Sequence, residues 1–378
     1  MKICIIVENF DQYGGGKVHL DELIKRLIKR YKCKIDIYTR KLIIDCRVYD
    51  YNSFNGNLRV FRCGICSKYP SIVGRISWIL DVINHNIHDK YDIIHGQANL
   101  GGIPTWIIGR LKRTPTVFTV HGSGLLVWDK MASGISKNIN YLVEKLVQTQ
   151  LKYDAEISVD NRFCNLYNIN KPIVIPNGVD IKEFDKINVP KDKNFKIIFV
   201  GRLHPQKGLK YLIDAVYWIE KIIREKKVKI HLIGSGEEQP ILEKQMKDLG
   251  IEDIFIFRGK IFGEDLIREY KSAHLFVLPS IFEGQPLTLL EAGACKLPVL
   301  VTDVGDNDKF VKNGINGVII PPANMKPLAN ILKAYIIYPY EKYISFGQKG
   351  YTLVKKEYTW DKMTEKTYEV YKKCLKKK

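Results

Sequence analysis

The 378-residue sequence lacks a long apolar run of the kind that enters or crosses a membrane. Its first apolar run, residues 3–7, ends at Glu8 and is too short for the core of a signal peptide. The longest stretch without charge, residues 93–109, contains Pro104 and four glycines, so it is a poor membrane span. We therefore expect a cytoplasmic protein.

Cysteine is too sparse for a disulfide framework. The chain has eight cysteines, and without an export signal they suit a reducing compartment. Cys63 and Cys66 form the single CxxC motif, and no second CxxC or histidine pair at metal-binding spacing accompanies it. We expect two ordinary thiols at a strand end and no metal site.

Acidic residues are outnumbered, 41 against 60 basic residues, which gives a net charge of +19. The basic excess is similar on both sides of Asp180, and it favours anionic partners: nucleic acid, anionic lipid headgroups or phosphorylated small molecules. A nucleic-acid-binding protein would need a clustered basic face, stacking aromatic residues or a recognition motif. The sequence has none of these, so no nucleic-acid partner is expected.

Short runs rich in isoleucine and valine alternate with helical patterns, which is typical of parallel sheets buried on both faces. The first set of predicted strands covers residues 3–7, 34–38, 93–95, 116–120, 157–159 and 173–175. The second covers 196–200, 229–233, 254–257, 275–278, 299–302 and 318–320. Predicted helices cover 18–31, 211–225, 242–249, 264–273 and 286–294. The pattern predicts an α/β protein with two doubly wound, Rossmann-like domains, residues 1–176 and 177–357.

In doubly wound sheets, ligands bind beyond the carboxyl ends of the strands, so we expect a cleft between the two domains. Residues 14–16 form a glycine turn before a helix, where backbone N–H groups can approach a phosphate. This turn matches neither GxGxxG nor the Walker pattern, so a bare tight turn stays open. Arg202 and Lys207 lie on a loop between Gly201 and Gly208 and suit a diphosphate, with two solvated charges as the alternative.

Residues 278–292 hold the densest set of candidate functional residues. Glu283 lies in a loop after a predicted strand, and Pro286 stands at the expected N1 position of a helix. The N–H groups of Leu287 and Thr288 would then have no partner within the helix and would suit an anion.

Glu283 and Glu291 are too far apart to act as a glycosidase pair. A helix rises about 1.5 Å per residue, so residues eight apart are about 12 Å from each other, beyond the roughly 5 to 9.5 Å such pairs use. We therefore expect separate roles. Because Glu291 lies in an apolar helix, a buried cap or ion-pair partner is its alternative role.

His121 follows the predicted strand 116–120 and precedes Gly122, Ser123 and Gly124, which leave room around it. Its place at a strand end facing the predicted cleft favours a functional histidine over a structural one. His95 ends another strand without such support, and we interpret it as structural.

The spacing of Glu283 and Glu291 resembles the E-x7-E signature of the retaining glycosyltransferases of family 4 (GT4), which have the GT-B fold. Further motifs recur in that family's order: Gly14-Gly15, Thr119-Val120-His121-Gly122, Ile175-Pro176-Asn177-Gly178-Val179-Asp180, Phe199-Val200-Gly201-Arg202-Leu203, Gly234-Ser235-Gly236-Glu237 and Asn313-Gly314-Ile315-Asn316-Gly317. The resemblance covers nearly the whole chain, and the ordered set is specific.

The resemblance implies a role for each matching residue. The catalytic residues would be His121, Glu283, Arg202 and Lys207. The donor-binding residues would be Gly15, Gly16, Gly234, Lys260, Ile261, Gly284, Gln285, Pro286, Leu287, Thr288 and Glu291. Within these sets Arg202 and Lys207 would clamp a diphosphate, and Glu291 would hold the ribose hydroxyls. The family usually has an apolar residue at Gln285 and a glutamate at Lys309, so neither the donor sugar nor a role for the Lys309 loop is carried over.

The activity implied is that of a hexosyltransferase, which moves a sugar from a nucleotide-diphosphate sugar to a glycan or lipid-linked acceptor. Configuration would be retained, and no metal or other cofactor would be needed. A terminal helix, residues 358–378, would cross back to the first domain, and the positive charge is compatible with peripheral contact at the inner face of an anionic membrane. The alternatives are a GT-B nucleotide-sugar epimerase and, less favoured, a basic nucleic-acid-binding protein.

Overall fold

The computed structural model describes residues 1–10, 14–42, 54–67, 71–86, 89–121, 135–161 and 172–377. The chain divides into two compact units: an N-terminal unit of Met1–Asn177 with Trp360–Lys378, and a C-terminal unit of Gly178–Thr359. The divisions come one residue after predicted position 176 and two residues after predicted position 357. Tyr13, which precedes the first glycine turn, and Gly122, Ser123 and Gly124 lie outside the described residues.

The described part of the N-terminal unit contains a parallel sheet with the strand order β3-β2-β1-β4-β5-β6-β7. The strands are β1 (Lys2–Val7), β2 (Lys34–Leu42), β3 (Leu58–Ser67), β4 (Ile93–Gln97), β5 (Thr116–Val120), β6 (Ala155–Ser158) and β7 (Ile173–Val174). Every residue of β4 and β5 is buried, which explains why these central strands are recognisable as apolar runs.

Sequence analysis missed β3, which lies at the edge of the sheet. Its buried residues Leu58 and Cys63 are interrupted by exposed Arg59 and Arg62. An edge strand with one solvated face has no continuous apolar run, so its sequence does not show the pattern of a strand that is buried on both faces.

The helices of the first part of the chain are α1 (Gly15–Tyr31), α2 (Ile72–Asn86), α3 (Ala98–Lys112) and α4 (Ile135–Lys145), the last followed by a π-helical turn, Leu146–Gln150. Helix α1 begins three residues before its predicted start at position 18 and buries the apolar residues that predicted it, Leu20, Leu23, Ile24, Leu27 and Ile28. Helix α3 was not predicted, because its glycines and Pro104 disguise a helix that carries proline in its interior.

The C-terminal unit contains a second parallel sheet with the order β10-β9-β8-β11-β12-β13. The strands are β8 (Lys196–Val200), β9 (Lys229–Ile233), β10 (Phe255–Gly259), β11 (Leu275–Leu278), β12 (Val299–Thr302) and β13 (Val318–Ile320). The bounds of all but β10 are those predicted, because these strands lie in the core and consist mainly of apolar residues.

The helices of this unit are α5 (Ile181–Lys186), α6 (Leu209–Trp218), α7 (Glu220–Glu225), α8 (Gln239–Asp248), α9 (Gly263–Ser272), α10 (Leu287–Ala294), α11 (Asn307–Phe310), α12 (Met325–Ile337) and α13 (Glu341–Glu357). The prediction of a single helix over 211–225 is wrong, since the chain leaves helical geometry at Ile219 between α6 and α7. Both sheets together confirm the predicted architecture of two doubly wound α/β domains.

The last helix, α14 (Trp360–Lys376), belongs to the N-terminal unit. The ring of Tyr368 stacks on Tyr31 of α1 with 3.9 Å between centroids, and Asp361 accepts a hydrogen bond of 2.7 Å from Arg26 Nε. Across the described residues, no helix combines the length and apolar character needed to span a membrane.

The CxxC motif lies in β3, and the structure gives Cys63 neighbours that the sequence did not suggest. Its thiol and the Asp81 and His85 side chains lie within 4.8 Å of one another. Asp81 accepts a 2.8 Å hydrogen bond from the Gly64 N–H, and His85 Nδ1 donates to the Asp81 carbonyl at 2.9 Å. Burial raises the pKa of Cys63 to about 12, which keeps the thiol protonated. These hydrogen bonds account for the positions of Asp81 and His85 beside β3. The absence of a metal site stays a prediction.

Candidate active site

In the C-terminal unit, the loop after β8 carries Arg202 and Lys207. Arg202 is exposed, and a short 3₁₀ turn, Pro205–Lys207, ends in Lys207. His204 caps the turn by accepting a 3.1 Å hydrogen bond from the Gln206 N–H at its Nδ1. The turn therefore presents Lys207 at the carboxyl end of a central strand.

The loop after β11 lies directly against this turn. The Ile281 N–H donates to the Gln206 carbonyl, and the Gln206 side-chain amide donates to the Phe282 carbonyl, both at 2.8 Å. Gly208 has φ +65°, and a Cβ there would lie 2.2 Å from the Pro279 oxygen. A side chain at position 208 would thus separate the two loops.

Lys207 and Glu283, which the sequence placed in one site, form an ion pair. Lys207 Nζ lies 2.5 Å from Glu283 Oε1, and the Ser280 hydroxyl donates to the same oxygen at 2.6 Å. Glu283 is only 5% exposed. Its carboxylate is therefore neutralised and fixed by two donors before any ligand is present.

Helix α10 begins beside this pair, one residue later than predicted. Pro286 is the N-cap residue with extended backbone geometry, and Leu287, not Pro286, is the first helical residue. A proline at the N-cap costs the helix no hydrogen bond, because an N–H at this position would have no acceptor within the helix. The N–H groups of Leu287 and Thr288 remain in the first turn, where no carbonyl of the helix can accept from them.

Glu291 lies about one turn into α10, and its position is fixed by a residue that the sequence alone does not reveal. The fully buried Tyr270 of α9 donates to Glu291 Oε2 at 2.9 Å and lies 3.2 Å from the Thr288 carbonyl. Burial raises the pKa of Glu291, and the hydrogen bond from Tyr270 opposes that rise. Glu283 and Glu291 have different partners, as the separate roles predicted for them require.

The remaining predicted donor residues of this unit also lie at carboxyl ends of strands. Gly234 ends β9, and its N–H donates to the Gly259 carbonyl at 2.8 Å. Lys260 and Ile261 follow β10; Lys260 is exposed, and Ile261 packs against the core. Gly284 and Gln285, both partly exposed, connect Glu283 to Pro286.

In the N-terminal unit the predicted residues Gly15, Gly16 and His121 meet at the start of α1. No side chain caps this helix and no acidic residue lies in its first turn, among the residues described here. A Cβ on Gly16 would lie 3.8 Å from His121 Cγ, an ordinary contact distance. The imidazole and the positive end of α1 are therefore neighbours.

His121, which is partly exposed, belongs to a group of three imidazoles whose other members, His19 and His95, are buried. Its Nε2 lies 2.6 Å from Gln97 Oε1, and its ring lies 4.6 Å from that of His19 in an edge-on contact. His19 donates from Nδ1 to Asn177 Oδ1 at 2.8 Å. Burial lowers the pKa of His19 to about 4, that of His95 to about 3, and that of His121 well below its usual value.

A pocket of about 320 Å³ opens beside His121 at the carboxyl ends of β1, β4 and β5. Its charged and polar walls come from Glu8, Asn9, Lys17, Arg75, Gln97, His121, Asn140 and Glu144. The size and mixed polarity suit a hydroxylated small molecule or one end of a larger one.

Both halves of the chain match glycosyltransferase families. Residues 13–183 match the family described as Glycosyltransferase Family 4, and residues 180–353 match the one described as Glycosyl transferases group 1. The chain belongs to the family 4 glycosyltransferases.

Individual relatives agree with this membership. An uncharacterized glycosyltransferase of Methanocaldococcus jannaschii is 27% identical over 98% of both chains. A UDP-Gal:alpha-D-GlcNAc-diphosphoundecaprenol alpha-1,3-galactosyltransferase of Escherichia coli is 30% identical over 65% of this chain and 66% of its own. The sucrose-phosphate synthase structure from Thermosynechococcus elongatus has a TM-score of 0.84 at 21% identity and covers 100% of both chains. The predicted GT-B fold and glycosyltransferase class are confirmed.

Three residues that support the family 4 site were not found from the sequence: Ser280, Tyr270 and Gln97. Each acts through a predicted residue rather than through a motif of its own, since their partners are Glu283, Glu291 and His121. Gln97 lies two residues after the predicted strand 93–95 and inside the observed β4, so no predicted strand contains a signal for it.

Gly234 gives a test of how tightly the loops of this glycosyltransferase are packed. Its φ is +134°, and a Cβ would lie 1.9 Å from the Gly201 oxygen, whereas Gly250 has φ +67° and open space around it. Gly234→Ala should destabilise the protein by about 2 to 5 kcal/mol through backbone strain and overpacking, and Gly250→Ala by about 1 to 2 kcal/mol through strain alone. Urea unfolding of both variants measures the difference, and equal losses would contradict the close backbone contact.

Proposed function

We propose that this glycosyltransferase transfers a sugar from a nucleotide-diphosphate sugar to a glycan or lipid-linked acceptor, with retention and without a metal ion. The observation that carries the proposal is the pair formed by Lys207 and Glu283 beside the first turn of α10. A lysine, a helix N-terminus and a fixed carboxylate provide the two kinds of contact that a sugar diphosphate needs, for its anionic and its hydroxylated part.

The name of the E. coli relative supports the choice of substrates. That enzyme is described as acting with UDP-Gal on a diphosphoundecaprenol-linked sugar. A uridine-diphosphate sugar as donor and a lipid-linked glycan as acceptor are therefore the first pair to test for this chain.

Departure of the diphosphate is the step that needs most stabilisation. The bond between the anomeric carbon and a diphosphate oxygen breaks, and negative charge develops on that oxygen. Exposed Arg202, Lys207 and the amides of Leu287 and Thr288 would stabilise it electrostatically, and the proton of the acceptor hydroxyl would pass to the departing diphosphate.

The surroundings of Glu283 favour retention by same-face attack. The hydrogen bonds that Glu283 Oε1 accepts from Lys207 and Ser280 draw electron density from the carboxylate, which weakens it as a nucleophile toward the anomeric carbon. Glu283 is better suited to binding hydroxyls of the donor sugar. The acceptor oxygen would then attack from the side that the diphosphate leaves.

An anionic membrane is the proposed location of the acceptor. Helix α2 exposes Ile72, Val73, Ile76 and Leu80, each by 53% or more. Positions 72, 76 and 80 share one helix face, and the net charge of +19 adds electrostatic attraction. The lipid-linked substrate named for the E. coli relative is consistent with this surface.

The role of Glu291 can be tested by nucleotide binding. Glu291→Ala should weaken binding of UDP by about 1.5 to 3 kcal/mol, the range for hydrogen bonds to charged groups. Isothermal titration calorimetry measures this, with Glu264→Ala, an exposed carboxylate of α9, as the matched control. Unchanged affinity in a folded Glu291→Ala protein would remove Glu291 from the donor site.

The role of Lys207 can be separated from that of its partner. If Lys207 stabilises the leaving diphosphate, activity should persist in excess EDTA, and Lys207→Ala should lower kcat by about 100-fold or more. Lys207→Ala alone leaves the buried Glu283 carboxylate without its cation. The double variant Lys207→Ala with Glu283→Gln removes that negative charge as well. Steady-state kinetics with saturating donor decide: recovery of kcat in the double variant, or loss of activity in EDTA that Mg²⁺ or Mn²⁺ restores, would contradict the mechanism.

The membrane surface can be tested by co-sedimentation with phosphatidylglycerol vesicles. Binding should weaken as salt rises from about 0.05 to 0.5 M, because the Debye length falls to a few Å. The double variant Ile76→Glu and Leu80→Glu should bind less than wild type at low salt. Ile241→Glu on α8, where the native side chain is 67% exposed, is the control. Equal binding of all three proteins, or none at any salt, would refute this surface.

A further inference from the structure

Gln97 contacts two histidines of the group of three, the partly exposed His121 and the buried His95. Its Oε1 lies 2.6 Å from His121 Nε2, and its Nε2 lies 3.1 Å from His95 Nε2. Gln97 is only 1% exposed, in a strand whose other side chains are apolar or part of the same network. A buried amide of this kind is costly unless it makes these hydrogen bonds.

The amide oxygen sets the protonation of the ring it faces. An amide oxygen only accepts, so His121 must carry its proton on Nε2. The amide nitrogen lies 3.1 Å from His95 Nε2 and 3.5 Å from His95 Nδ1, so it stands over the face of that ring and leaves the His95 tautomer open. In the ring plane, His95 Nδ1 lies 2.6 Å from the Tyr371 hydroxyl and His95 Nε2 lies 2.7 Å from the Thr119 hydroxyl, and both hydroxyls can donate or accept.

The backbone holds Gln97 in place on both sides. It is paired with Val7 of β1 and with Thr119 of β5, in the centre of the parallel sheet. Its amide therefore cannot follow a change in the ring of His121 by moving the strand. His121 directly follows β5, where the pocket opens.

We propose that Gln97 is a positioning residue, which holds His121 as its Nε2–H tautomer and leaves Nδ1 as an acceptor for a hydroxyl group of the bound substrate. This assignment rests on the proposed function only for the substrate; the tautomer itself is a property of the free protein. His121 would contribute hydrogen-bond geometry to the reaction, and Gln97 would act through it without touching the substrate.

The charges around His121 set its response to pH. Burial lowers its pKa, and His19 from α1 and His95 from β4 lower it further. The other titratable groups in the walls of the pocket are Glu8, Lys17, Arg75 and Glu144. Gln97 is the neutral group in direct contact with His121 Nε2, so a carboxylate there should raise the pKa of His121 by favouring the imidazolium.

Nuclear magnetic resonance of the ¹⁵N-histidine-labelled, ligand-free protein tests the tautomer, with His121→Asn used to assign the signals. We expect His121 to be protonated on Nε2. A proton on His121 Nδ1 would mean that the amide is reversed, which would overturn the proposal whether or not the protein transfers sugar.

Two substitutions at position 97 separate positioning from simple structural support. Gln97→Glu keeps an acceptor for His121, and His95 can reverse its tautomer because both hydroxyls that contact it can donate or accept. Gln97→Met keeps the volume but removes the acceptor. At pH values above the raised pKa of His121, Gln97→Glu should have a kcat/KM within about threefold of wild type. At lower pH, where His121 becomes protonated, the kcat/KM of this variant should fall. Gln97→Met should be about 10-fold or more slower at every pH, the lower end of a positioning effect.

The control is Asn86→Asp, which also buries a new carboxylate in the N-terminal unit. Asn86 donates to the Val82 carbonyl and accepts from the Cys4 thiol, and it is fully buried. It should lower the melting temperature without changing the pKa of His121. If Gln97→Glu and Gln97→Met lower activity equally across the pH range, Gln97 only supports the fold. If the wild type transfers no sugar while its tautomers are as expected, the proposed function fails and the positioning stands.

Discussion

The close contact between the loops after β8 and β11 is the constraint on which the C-terminal site depends. The two backbones touch there because Gly208, which follows the turn that ends in Lys207, has no side chain. A Cβ at this position would overlap the carbonyl oxygen of Pro279. The hydrogen bond from the Ile281 N–H to the Gln206 carbonyl fixes their register. With the loops held in this way, Lys207 and Glu283 meet although they are 76 residues apart in the sequence.

This arrangement also explains why two glutamates eight residues apart have different surroundings. Glu283 lies in the loop and is neutralised by a lysine, whereas Glu291 lies in α10 and is held by the neutral hydroxyl of Tyr270. The first carboxylate is part of an ion pair at the end of a strand, whereas burial raises the pKa of the second, which has a neutral hydrogen-bond donor. A spacing that places one residue before a helix and the other about one turn into it produces this difference.

The sequence was sufficient for the central strands and for the motif residues, since both have a local signature. The bounds of β8, β9, β11, β12 and β13 follow from continuous apolar runs, and Glu283 and Glu291 follow from their spacing. Edge strand β3 and helix α3 were missed because exposed arginines interrupt one, and glycines and a proline disguise the other. The partners Tyr270, Ser280 and Gln97 were missed because a side-chain hydrogen bond between distant positions has no signature in either segment.

The histidine group shows how the fold limits what a predicted catalytic residue can do. Burial and two neighbouring imidazoles keep the pKa of His121 low, so at neutral pH it carries no proton that it can give up as an imidazolium acid. The Nε2–H bond is directed at Gln97, which leaves only a lone pair for other partners. An acid role for His121 would therefore require loss of the hydrogen bond that fixes its ring, and hydrogen bonding to a substrate hydroxyl requires no such loss. The charge that develops on a leaving diphosphate must then be met by groups other than this histidine, which is what the cations after β8 and the first turn of α10 are suited to do.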